Sequence, residues 1–181
     1  MTKVEIEKEL EGKGDYVKID NITRFLKENP PVDIKRFVYL KLVEIYERRA
    51  MFSDAADIYA RLTEIPLTSK DKTEYFTKQV QCYVKAGFFD KADLTLKKIV
   101  SEIEPKDRAV IMISIREFYK NQALTYEKEK RKSKAIQTYE KMLTLNFSDA
   151  EKEEISKKLL SLYKDLGMVS QYMALKNKTK Q

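Results

Sequence analysis

Phe37-Val38-Tyr39-Leu40-Lys41-Leu42-Val43-Glu44-Ile45-Tyr46 is the stretch that decides the fold. Its apolar residues, Phe37, Val38 and Tyr39, then Leu42 and Val43, then Tyr46, fall three and four apart, which is one stripe along an α-helix. Tyr46 recurs. Tyr83, Tyr126 and Tyr163 follow at intervals of 37, 43 and 37 residues, and their surroundings recur with them. Seven residues earlier stand Tyr39, Phe76, Tyr119 and Ser156; nine later stand Ala55, Ala92, Ala135 and Tyr172. Tyr59, Leu96, Tyr139 and Lys176 come thirteen later, and Leu62, Ile99 and Met142 sixteen after the first three. Gly87 and Gly167 each follow their tyrosine by four residues, with Ala50 and Lys130 at the equivalent sites.

A repeat of this kind reads as a helix hairpin. The glycine site is where a first helix ends and the chain reverses, and the small alanine lets the second helix approach closely. Pro30, Pro66 and Pro105 then close second helices. Gly14 and Pro30 mark a degenerate copy at the N-terminal end. The spacing therefore predicts a single all-α domain over 1–181, with hairpins at about 3–28, 33–64, 69–103, 106–145 and 150–177 and a frayed tail at 178–181. The interval of 43 makes the fourth hairpin longer by six residues, as a longer helix or a larger turn.

Composition agrees with helices. Only four Gly and four Pro occur in 181 residues, which excludes a sandwich or barrel rich in turns, and 43% hydrophobic residues exclude disorder. With no His and one cysteine, Cys82, there is no disulfide framework, no Cys/His zinc site and no His-based catalysis. Phosphate-cradling glycine loops are absent. Glu151, Glu153 and Glu154 follow Ser148-Asp149, where they suit a helix start better than acid–base work. Most of the 11 Tyr and 8 Phe occupy core offsets of the repeat, and Cys82 reads as a core residue. The expectation is a protein that is no enzyme and takes no cofactor or metal. The charged start and the lack of an apolar run longer than Ala109–Ile113 predict a cytoplasmic location without membrane insertion.

At these residues the chain resembles the tetratricopeptide repeat family. Tyr39, Leu42, Tyr46, Ala55, Tyr59 and Pro66 fit one copy of that family's pattern; Phe76, Tyr83, Gly87, Ala92 and Pro105 fit the next; Tyr119, Tyr126, Ala135 and Tyr139 fit a third. The period is longer than the family's 34 residues, and Val43, Val80 and Ala123 replace its first glycine. The resemblance implies a right-handed α-α superhelix of about five antiparallel hairpins, whose first helices line a concave groove. It also implies protein binding as an adaptor or assembly scaffold.

Two features bear on a partner. Five residues before and two after each marker tyrosine, two offsets share one helical face. They hold Lys41, Lys78 and Lys158, and Arg48, Lys85 and Lys128, with Asn121 and Asp165 at the other two places. If the resemblance holds, these six cations line the groove and favour another protein's acidic segment, extended or helical. The second feature is the run Lys128 to Lys134, where Lys130, Arg131, Lys132 and Lys134 form a basic hairpin tip. The first 105 residues carry no net charge, so the whole excess of +7 lies beyond them. The alternative expectation is accordingly nucleic-acid binding by the basic C-terminal half.

Overall fold

The computed structural model describes residues 1–65 and 68–179. The described residues form ten α-helices and no strand: α1 Lys3–Leu10, α2 Asp15–Lys27, α3 Val32–Arg48, α4 Phe52–Thr63, α5 Ser69–Ala86, α6 Phe89–Glu102, α7 Pro105–Lys128, α8 Lys132–Thr144, α9 Asp149–Asp165 and α10 Val169–Lys178. Every boundary lies within two residues of the sequence expectation. Pro66 and the last two residues of the predicted tail lie outside the described residues. Lys178 still belongs to α10 and Thr179 caps it. The chain divides into two compact units, Met1–Arg108 and Ala109–Gln181, the division falling in the first turn of α7.

Helix ends follow local chemistry. Thr2 and Ser148 each form a capping box, with Glu5 and Glu151 respectively, and Thr68 accepts the Asp71 amide. The reversals after α3, α5, α7 and α9 share one geometry. The carbonyls of Tyr46, Tyr83, Tyr126 and Tyr163 accept hydrogen bonds at 2.8–2.9 Å from the amides of Met51, Phe88, Arg131 and Met168. The residue before each donor is left-handed: Ala50 at φ 55°, Gly87 at 83°, Lys130 at 58° and Gly167 at 66°. This is the Schellman arrangement, and it explains why glycine recurs at this offset. Pro105 opens α7 instead of merely closing α6, because its missing N–H is harmless in a first turn.

In the first unit, α2 packs on α3, α3 on α4, α4 on α5 and α5 on α6; in the second, α8 packs on α9 and α9 on α10. Ala55, Ala92 and Ala135 are wholly buried, as are Val38, Leu62, Val80, Ile99, Tyr119 and Leu159. They belong to the predicted stripes.

The two units repeat the same contacts at residue numbers that differ by 80. Arg36 meets Asp71 at 2.9 Å, and Arg116 meets Glu151 at 2.6 Å. The Tyr59 hydroxyl donates to Glu47 at 2.8 Å, and the Tyr139 hydroxyl donates to Glu127. Thr68 caps α5 as Ser148 caps α9. The working repeat is thus a pair of hairpins. Against this register the extra residues of the fourth hairpin can be placed: α7 has 24 residues where α3 has 17, yet both end at equivalent positions, Lys128 and Arg48. The extension lies at the start of α7. The turn after it is no larger than the one after α3.

Candidate interaction surfaces

The six predicted groove cations fall on first helices, α3, α5, α7 and α9, as the repeat requires. In the first unit, Lys41 reaches Glu7 of α1 at 2.9 Å and lies over the Phe37 ring. Arg48 binds the Asp15 carboxylate, which Arg49 approaches at 3.6 Å, and the Arg48 hydrogen bond holds the Asp15 pKa down. Lys85 lies over the Phe52 ring, 4.9 Å from its centre. Lys78 is half-buried and makes no ion pair among the described residues. In the second unit, Lys158 lies 3.3 Å from Glu127 and over the Tyr139 ring, whereas Lys128 is exposed and without an ion pair among the described residues. Internal carboxylates therefore already hold Lys41, Arg48 and Lys158.

Two hollows open beside these cations. The first, of about 500 Å³, lies among α1, α2 and α3, and Lys8, Lys18, Lys41, Glu44 and Arg48 are among its lining residues. Among α7, α8 and α9 lies a hollow of about 170 Å³. Tyr139, Met142 and Ile155 contribute its apolar surface with Leu124, while Lys120, Lys158, Glu151 and Glu154 supply the polar groups. Lys120 pairs with Glu151 at 2.8 Å and with Glu117 at 3.0 Å. Lys120, Lys158 and Glu151 are thus held in place by their neighbours.

Sequence reasoning singled out Lys41, Arg48 and Lys158 but missed Lys8, Lys18, Lys120 and Leu124. Leu124 left a readable signal: an apolar residue at the offset two before the marker tyrosine, where Glu44 and Gln81 stand in other copies.

The predicted basic tip forms the turn between α7 and α8. Arg131 bonds Glu129 at 3.1 Å and lies over the Tyr126 ring, which Lys134 also approaches. Lys132 reaches Asp165, the last residue of α9, at 2.8 Å. Lys130 occupies the left-handed turn position and is exposed.

Cys82 is buried, and burial followed by the charge of Glu47 pushes its thiol up to about 12. Among the described residues no cluster of three or more His, Cys, Asp or Glu is arranged to hold a metal ion, and no helix is long and apolar enough to cross a membrane. Comparison with family models, with curated proteins and with solved structures found no match to this chain.

Proposed function

We propose that the chain is a non-enzymatic protein-interaction module, a cytoplasmic adaptor or assembly scaffold built from tetratricopeptide-like hairpins. Its first helices receive an acidic segment of another protein, extended or helical. The observation that carries this reading is the hollow among α7, α8 and α9. Its volume of about 170 Å³ suits one apolar side chain, since a cavity of roughly 150 Å³ takes up benzene. Leu124, Tyr139, Met142 and Ile155 supply apolar contact, while Lys120 and Lys158 are already paired with Glu151 and Glu127. Apolar anchoring gives the affinity, because exposed ion pairs contribute only about 0–1 kcal/mol each. Lys78 in one unit and Lys128 in the other remain to meet an acidic residue and to raise the association rate.

A panel of peptides carrying one Leu or Phe among acidic or basic neighbours tests this by fluorescence anisotropy. Acidic peptides should bind more tightly, and Leu124→Lys should abolish the preference for an apolar anchor. Changing Lys78 and Lys85 together to Glu should slow association and weaken its salt dependence without unfolding the protein. Equal binding of acidic and basic peptides, or rates untouched by the double change, would overturn the reading.

A further inference from the structure

The second unit carries a charged surface that the groove reading leaves unused. In the 80-residue register, Ala50, Met51, Phe52 and Asp54 of the first unit become Lys130, Arg131, Lys132 and Lys134 of the second. Four cations thus replace three uncharged residues and an acid, although the turn keeps its left-handed residue and its hydrogen bonds. The replacement runs against helix electrostatics. α4 carries Asp54 in its first turn and α6 carries Asp90, whereas α8 has no acidic residue there and begins with Lys132 and Lys134. Cations at the positive end of the helix dipole are unfavourable.

The neighbouring turn completes the surface. The Lys132–Asp165 contact sets the start of α8 beside the end of α9, where Lys164 is exposed. Leu166 is 44% exposed and Val169 68% exposed in the same α9–α10 turn. Lys130, Arg131, Lys132 and Lys134 thus stand at one turn and Lys164, Leu166 and Val169 at the next, the two joined by Lys132–Asp165, with Arg131 also paired to Glu129 and Lys164 and Val169 lining one hollow. Tyr126 braces Arg131 and Lys134 from below.

We propose that these two turns form a peripheral docking surface for an anionic lipid bilayer. Basic side chains gather at the headgroup potential, and aliphatic ones enter the headgroup–acyl boundary. The apolar pair separates this occupant from a nucleic acid, whose backbone would use the cations and leave Leu166 and Val169 in water. No helix needs to span the membrane, and the proposal does not depend on peptide binding in the hollows.

Flotation with vesicles tests it, using phosphatidylcholine alone or with about one-third phosphatidylserine. The full chain should float only with the serine lipid, and added salt should release it. The variant Lys130→Ala, Lys132→Gln, Lys134→Asp should lower partitioning about tenfold or more. Lys134→Asp alone, which takes the first unit's residue, should lower it severalfold. Leu166→Gln with Val169→Gln, which leaves the charge unchanged, should also weaken vesicle binding while leaving any affinity for polyuridylate unchanged. Circular dichroism checks that each variant keeps its helices, and Lys78→Glu with Lys85→Glu should float like the parent. Failure to float with phosphatidylserine overturns the proposal, as does flotation undiminished in the folded basic variants. Vesicle binding unaltered by the Leu166/Val169 change, together with polyuridylate affinity lost in the basic variants, assigns the surface to nucleic acid instead.

Discussion

The Arg116 guanidinium lies 2.6 Å from the Glu151 carboxylate and joins the first helices of consecutive hairpins. Glu151 is also the capping-box residue of α9, accepting the Ser148 amide at 2.8 Å, so one carboxylate both starts a helix and docks it.

This double duty makes stability depend on pH. The hydrogen bond from Lys120, then those from the Ser148 amide and hydroxyl, hold the Glu151 pKa down to about 2, below its ordinary 4.5. A carboxylate depressed in the folded state stabilises it above the unfolded pKa, and the contribution disappears as pH falls through the folded value. The thermal midpoint should therefore drop between pH about 4.5 and about 2. Glu151→Gln should lower the midpoint at neutral pH and flatten that slope. A slope unchanged in the variant would show that other carboxylates govern acid unfolding.

The two tyrosine–glutamate bonds should differ in strength. Glu127 keeps Lys158 when its tyrosine hydroxyl is removed, whereas among the described residues Glu47 keeps only the Cys82 thiol at 3.8 Å. Tyr59→Phe should destabilise by about 1.5–3 kcal/mol, the range for hydrogen bonds to charged groups. Tyr139→Phe should lose less. Urea unfolding of the two variants decides, and the reverse order would refute the assignment.

Ala92 is wholly buried where α5 and α6 pack. Ala92→Leu should overpack this contact and cost about 1–3 kcal/mol. The measurement is the denaturation midpoint at unchanged slope.

Cys82 should be inert while the protein is folded. With its thiol pushed up to about 12 by burial, almost no thiolate exists at pH 8. Alkylation should run on the order of a hundredfold slower than in denaturant, with a rate that follows unfolding. Rapid labelling of the native chain would mean that α5 opens locally.

Much of the fold was legible because each helix end has a local cause. Gly87, Gly167, Ser148 and the tyrosine spacing act within a few residues of themselves, so the sequence displays them. Pro105 misled in part, since a proline that cannot continue one helix is equally suited to begin the next. The groove cations were legible as a helical face, and so was a partial neutralisation by nearby acids such as Glu127, which holds Lys158, but the partners of Lys41 and Arg48 were not. Glu7 meets Lys41, and Asp15 meets Arg48, across separate hairpins, 34 and 33 positions away. Helical periodicity carries no information about such partners. The hollow containing Leu124 was hidden for the same reason, because residues from α7, α8 and α9 form it together.

The duplicated contacts have a consequence for how the chain finds its native pairing. Glu151 offers Arg36 the same carboxylate chemistry as Asp71, and the unfolded chain can close either loop. Asp71 lies 35 residues beyond Arg36 and Glu151 lies 115 beyond it. Loop entropy, growing as three-halves of RT times the logarithm of length, favours the nearer partner by about 1 kcal/mol, roughly fivefold. Proximity along the chain thus discriminates between two side chains that charge alone would treat alike, and misthreaded pairings between the copies remain the minority during folding.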